Sequence, residues 1–266
     1  MTRRANRLKF LVLGAMIALA ACKSQEETQI ERPVEDLYNI AVNSLIAENY
    51  AAAARQFDEV ERQHPYSVWA TRSQLMAAYA FYMDSKYDEA ISALDRFIQL
   101  NPANRDVAYA YYLKALCYYE QISDVQRDAR MTELALASLT EVVNRFPNSV
   151  FARDARLKIE LAHDHLAGKE MEVGRFYQRQ RQYLGAINRY RTVVDRYQTT
   201  SHVPEALHRL VECYLALGLV DEARRTASVL GFNYPGSEWY QDSYALIETG
   251  RLPSRDRPGF FRRMFD

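Results

Sequence analysis

The sequence has 266 residues, 34 Lys and Arg against 34 Asp and Glu, and a hydrophobic share of 48%. That length suits one or two domains with a buried core, the apolar share excludes wholesale disorder, and 26% charged residues exclude a polytopic membrane protein. Three cysteines are too few for a disulfide-stapled scaffold, and 19 Tyr against 9 Gly favours packed helices over β-turns.

The zero net charge averages over unlike parts. Arg3, Arg4, Arg7 and Lys9 precede residue 22 and no acid does, so the rest of the chain carries 30 bases against 34 acids. Residues 1–21 open with those bases and then run apolar from Phe10 to Ala20. The run is too short to cross a bilayer and suits the h-region of a secretory signal. It ends Leu19-Ala20-Ala21-Cys22, which resembles the lipobox of bacterial lipoproteins. That resemblance implies cleavage before Cys22, a diacylglycerol on its sulfur and an acyl chain on the new amino terminus. At roughly 0.8 kcal/mol per buried CH₂, three chains anchor permanently. Lys23 in place of Asp implies sorting to the outer membrane. The plainer alternative is an ordinary signal whose cleavage site includes a Cys. Residues 22–32 are polar and aperiodic and read as a tether.

From there a repeat takes over. Tyr50, Ala53, Phe57 and Pro65 share their spacing with Tyr87, Ala90, Leu94 and Pro102. The pattern recurs from Tyr183 with Ala186 and Tyr190, Gln198 replacing the proline. From Val220 it has Ala223 and Pro235, with a small Ala227 where a large residue is expected. A degenerate copy runs from Thr132 through Ala135 and Leu139 to Pro147. Each copy reads as a helix stopped by proline, with Ala allowing close approach of a neighbour and the large residue filling the gap. Apolar-periodic segments precede each copy, one of them with Gly174 and Tyr177 three apart. These features resemble the tetratricopeptide repeat over about residues 33–235. The resemblance implies an all-α solenoid of about five helix pairs plus an inserted helix.

The copies start 37, 45, 51 and 37 residues apart, so the array is irregular. Residues 33–147 hold repeats one to three, with an insertion near residues 122–128. Residues 148–250 hold an added amphipathic helix and repeats four and five. Gly168 either breaks the added helix from the next or lies inside one long helix. The lack of a Pro or cap cluster favours the long one. Residues 251–266, with five Arg and two Asp, form a basic tail, either frayed or ordered by a partner or acidic headgroups.

Catalytic motifs are missing. His163 and His165 project roughly 200° apart on a helix and cannot share a metal. There is no H-E-x-x-H, C-x-x-C, phosphate loop or G-x-S-x-G. Cys117 and Cys213 fall on first helices of different repeats, too far apart to pair. No cofactor and no metal are expected, only the lipid on Cys22. An acidic exported chain also argues against nucleic acid.

What remains is a binding surface. First helices line the concave side of tetratricopeptide arrays. Inner-side candidates are Tyr38, Val42 and Leu45 in the first repeat and Leu75, Tyr79, Tyr82 and Met83 in the second. They form either a groove for an extended or helical peptide or packing between helices. The lipobox, the short tether, the five repeats and the helix added after the third resemble the BamD (ComL) family, lipoprotein subunits of the outer-membrane β-barrel assembly machine. The resemblance implies that the amino-terminal repeats engage unfolded barrel precursors. It also implies that the carboxy-terminal repeats dock a POTRA domain of the barrel subunit BamA, beside other lipoproteins of the machine. Arg189 and Arg196, seven apart on one helix face, suit such an acidic partner. Two other readings stay open: an envelope adaptor for peptidoglycan enzymes, and an enzyme with an unrecognised site.

Overall fold

The computed structural model describes residues 32–122 and 129–250. The signal segment, Cys22, most of the tether, residues 123–128 and the basic segment from Arg251 lie outside them. Eleven α-helices follow one another among the described residues: α1 Val34–Ile46, α2 Tyr50–Gln63, α3 Val68–Met83, α4 Tyr87–Leu100, α5 Val107–Tyr119, α6 Arg130–Arg145, α7 Val150–Arg179, α8 Tyr183–Arg196, α9 Val203–Ala216, α10 Val220–Asn233 and α11 Glu238–Thr249. Helices α1 to α10 form five antiparallel pairs, each packed on the next, and α11 closes the end against α9 and α10. This is the expected tetratricopeptide solenoid, with a closing helix that the repeat pattern had not revealed.

Local chemistry sets the corners. The proline-bearing corners follow α2, α4, α6 and α10, and the residue before each proline leaves the helical region, as proline requires. Tyr197 adopts the same conformation although Gln198 follows it. Ser67, Ser149 and Ser237 then cap α3, α7 and α11, accepting the N–H groups of Ala70, Ala152 and Trp239 at 3.0, 3.0 and 3.2 Å. Within four of the pairs the turn is three residues long. Its middle residue (Glu48, Ser85, Arg181 or Gly218) is left-handed, with φ of 59°, 58°, 59° and 75°. The next N–H bonds back to the helix, as Asn49 does to the Ser44 carbonyl at 2.9 Å.

The second helices confirm the repeat slots. Ala53, Ala90, Ala135, Ala186 and Ala223 are fully buried, as are Phe57, Leu94, Leu139 and Tyr190. A further slot ten residues after each start is also buried: Val60, Phe97, Val142, Val193 and Leu230.

The segment expected as an added helix is continuous with the first helix of repeat four, giving the 30-residue α7. Its first half packs on α5 and α6 and its second half pairs with α8. Ala155 shares a buried cluster with Ala115 and Leu139, while Ala167 and Met171 share one with Tyr190. The spacing of 51 exceeds 37 by fourteen residues, close to four full turns. The two halves therefore keep nearly the same buried face while repeat four shifts along the axis by about 21 Å.

Repeat four also shows why its first helix carries glycine. Gly174 faces the Tyr190 ring so closely that a Cβ would lie 2.4 Å from Cε1. The corresponding Ala41, Ala78 and Ala115 share clusters with the smaller Phe57, Leu94 and Leu139. Gly174→Ala is expected to lower stability by roughly 1–3 kcal/mol through overpacking. Adding Tyr190→Leu should restore part of the loss, because it recreates the Ala–Leu pair. Thermal unfolding of the single and double variants measures this, and losses that simply add would contradict the pairing.

Candidate functional site

First helices of successive repeats touch one another (α1 with α3, α3 with α5, α5 with α7), whereas second helices make no comparable contacts. The array therefore curves toward its first helices, and their unshared side chains form the inner face. Tyr79 and Tyr82 of α3 are half-buried there against the cluster of Leu94, Leu113 and Cys117. On α5, Tyr109 and Tyr112 lie with ring centroids 5.5 and 5.3 Å from Phe151 of α7. The Tyr112 hydroxyl donates to Asp154, and Lys158 stands 4.8 Å over the Tyr119 ring. Repeats two, three and the first half of α7 thus share one aromatic surface. Burial, with Glu120 nearby, pushes the Tyr82 phenol up to about 12, and burial with Tyr79 and Cys117 nearby does the same for Tyr109. Both hydroxyls stay protonated, and that of Tyr82 donates to Glu120 at 3.4 Å.

The other candidates divide. Tyr38 packs between Phe57 and Trp69, at 5.5 and 4.7 Å, and Val42 and Leu45 lie against the core of the first pair. Tyr38 and Leu75 still share the wall of a cleft of about 340 Å³. Met83 is exposed at the end of α3. Next to the tyrosines, Val150, Leu157 and Leu161 are exposed on one face of α7, seven and eleven residues apart. Sequence reading missed Tyr109, Tyr112 and Tyr119; it counts Leu157 and Leu161 among the apolar positions of the added helix, and the structure leaves both exposed.

Beyond the shift in α7 the chemistry changes to polar. Arg175 binds Glu205 of α9 at 3.0 Å, Arg209 reaches Glu205 and Glu212 at 3.3 and 2.8 Å, and Gln178 donates to Glu212 at 2.8 Å. Arg175, Gln178, Arg179 and Arg209 line a cleft of about 210 Å³. The His208 Nε2 faces the Glu212 carboxylate at 3.3 Å, and its Nδ1 is 2.8 Å from the Ser243 hydroxyl. A Ser–His–Glu relay is thus present, but Ser243 is fully buried and no substrate can reach its oxygen. The relay fastens α11 to α9, helped by the Trp239 ring, tilted 37° to His208 at 5.3 Å.

Arg189 and Arg196 both lie exposed on α8 as expected, and Arg189 is paired with Glu170 of α7 at 3.3 Å. Cys117 and Cys213 are free and buried, and burial raises both thiols to about 12, which keeps them unreactive.

Known proteins resemble the chain throughout. A family model described as "Outer membrane lipoprotein" matches residues 30–230. A Caulobacter vibrioides protein named outer membrane protein assembly factor BamD is 51% identical over 252 residues, covering 94% of this chain and 83% of its own length. The protein of that name from Rickettsia prowazekii is 47% identical, covering 90% and 94%, and the one from Neisseria meningitidis serogroup A is 34% identical, covering 85% and 91%. The chain belongs to the BamD family of outer-membrane lipoproteins.

The polar ladder predicts a limit at acid pH. Burial opposes ionisation of Glu212. The hydrogen bond from His208, the charges of Arg209 and His208 and the Gln178 amide overcome it and hold the carboxyl at about 2 instead of 4.5. A depressed carboxyl stabilises the fold above its unfolded value. That contribution, on the order of 3 kcal/mol, drains away as pH falls from 4.5 toward 2. Glu212→Gln should lower the melting temperature at neutral pH and flatten its decline across that window. Identical acid limbs for the two proteins would refute the assignment.

Proposed function

We propose that the chain acts as a lipid-anchored scaffold on the periplasmic face of the outer membrane. It would hold unfolded β-barrel precursors near the barrel subunit of the assembly machine and catalyse no covalent chemistry. The aromatic inner face carries this reading. Tyr79, Tyr82, Tyr109, Tyr112 and Phe151 present rings to apolar side chains of an extended segment, while the Tyr109 phenol, kept protonated by burial, donates to a backbone carbonyl of that segment. The exposed Val150, Leu157 and Leu161 prolong that surface along α7. Such a site recognises a class of peptide, because rings and hydroxyls serve many sequences.

The acylated Cys22 holds the scaffold where barrels insert. A POTRA domain docks on the far side of the shift, at the fourth and fifth repeats, where Arg189 and Arg196 offer charge to acidic partners. Other lipoproteins of the machine bind the surfaces left free.

Replacing Tyr79 and Tyr82 together by Ala is expected to weaken binding of a carboxy-terminal barrel peptide about tenfold or more. Tyr82→Phe, which keeps the packing, should lose only the hydroxyl's share. Fluorescence anisotropy with helicity checked in parallel measures both, and unchanged affinity in the double variant counts against the groove. Pull-down from detergent-solubilised envelope should recover a POTRA-bearing barrel protein, and recovery to be lost in an Arg189→Glu, Arg196→Glu variant.

A further inference from the structure

The corner between α2 and α3 exposes apolar side chains that neither the core nor the inner face uses. Tyr66 is 102% exposed and Val68 is 72% exposed, and Leu100 stands exposed at the neighbouring corner. A cleft of about 430 Å³ opens beside them, with Ser67, Thr71, Arg72, Asn104, Arg105 and Asp106 in its wall. Arg72 is held 5.3 Å over the Trp69 ring. Arg105 is 81% exposed and meets only the carboxylate of adjacent Asp106, at 3.4 Å, a surface pair too weakly coupled to cancel its charge.

The same corner receives the chain from the anchor. The His64 Nε2 lies 3.0 Å from the Arg32 carbonyl oxygen, which pins residue 32 to the start of the corner. Cys22 lies ten residues upstream, within reach of at most about 35 Å of extended chain. Among the described residues the opposite edge of the first three repeats is more acidic: it carries Glu48, Asp84, Asp88, Glu89 and Glu120 against Lys86 and Arg130. Acidic headgroups repel that edge. Glu35 and Asp36 also stand near the anchored corner, on the first turn of α1, so attraction there is confined to the cleft.

We propose that this corner is a membrane-contact edge. Tyr66 and Val68 enter the headgroup boundary of the leaflet that carries the anchor, and Arg72 and Arg105 bind the phosphate of an anionic phospholipid. Tyrosine suits that boundary because its ring is apolar and its hydroxyl is wet, and guanidinium binds phosphodiester oxygens through paired donors. The inference rests on acylation of Cys22, which brings the corner to the surface. Contact made there would hold the inner face at a set angle to the membrane.

The test uses the full lipidated protein in vesicles of phosphatidylethanolamine and phosphatidylglycerol. An environment-sensitive fluorophore is placed at Tyr66→Cys or, on the opposite edge, at Leu219→Cys. Cys117 and Cys213 are buried and do not compete for the label. The expected result is a blue shift and quenching by brominated acyl chains at position 66 and neither at 219. Replacing phosphatidylglycerol by phosphatidylcholine, or introducing Arg72→Gln with Arg105→Gln, should largely abolish the quenching. Equal solvent exposure at both positions on the vesicle would overturn the proposal. So would loss of acidic-peptide capture in the double-Gln variant with quenching unchanged, which would assign the cleft to a protein partner. Mass spectrometry of Cys22 separates the two readings. An unacylated Cys22 defeats the anchor, and a blue shift at 66 on added vesicles would then still support the edge.

Discussion

The array depends on one van der Waals pairing made five times, with a small residue on the first helix and a larger one on its partner in four pairs and the sizes reversed in the fifth. Ala41 shares a buried cluster with Phe57, Ala78 with Leu94, Ala115 with Leu139 and Val211 with Ala227, and Gly174 lies directly against Tyr190. The sizes compensate. The largest side chain, Tyr190, faces glycine, and the smallest, Ala227, faces valine. Each pair fills about the same gap, so each sets about the same distance between helices. Interiors pack at crystal density, and a mismatch of one methyl group is felt. The compensation lets the sequence vary while the solenoid geometry does not. It also explains Ala227, which looks like a defect when the second helix is considered alone.

Given that constraint, lengthening the array is safe only in whole turns. Fourteen residues added to the first helix of repeat four rotate its face by about 40°, little enough for both halves of α7 to stay buried. Ala152, Ala155 and Ala162 serve repeat three, while Met171 and Gly174 serve repeat four. An insertion of two residues more would have turned the second buried stripe to solvent. The cost appears at the junction with repeat five. There the first helices approach less closely, and Arg175, Glu205, Arg209 and Glu212 bridge them. Charged side chains span a distance that packing cannot, provided each is paired, as these are.

Much of the fold was legible because the repeat preserves particular letters. Alanine in one slot and proline at four of five corners are visible without alignment. The slot ten residues on is just as buried, but Val60, Phe97, Val142, Val193 and Leu230 share volume and no single letter. The three-residue turns escaped notice because Glu48, Ser85 and Arg181 take the left-handed conformation where glycine would have signalled it. Helix α11 has no second helix after it among the described residues and so offers no copy to compare. Of the inner face, Tyr79 and Tyr82 were found because α3 carries only these two tyrosines, beside Trp69 and Phe81. Tyr109, Tyr112 and Tyr119 were hidden because α5 carries tyrosine on several faces. The ladder at the far end joins α7, α9 and α11, and no spacing along the chain encodes that meeting.

These features divide the molecule into two surfaces with different chemistry. Before the shift the inner face is aromatic, with Asp154, Lys158 and Glu120 at one margin and Arg72, Arg105 and Asp106 at the cleft beside Tyr38. After it the same side of the array is a ladder of paired charges. A surface of rings and phenols tolerates many apolar sequences. One of fixed, paired guanidinium and carboxylate groups accepts only a partner that supplies matching charges. The axial step of about 21 Å sets the two surfaces apart along the array. A scaffold that must hold a changing client beside a constant partner needs both surfaces at once. The extra turns of α7 supply that separation within a single rigid helix.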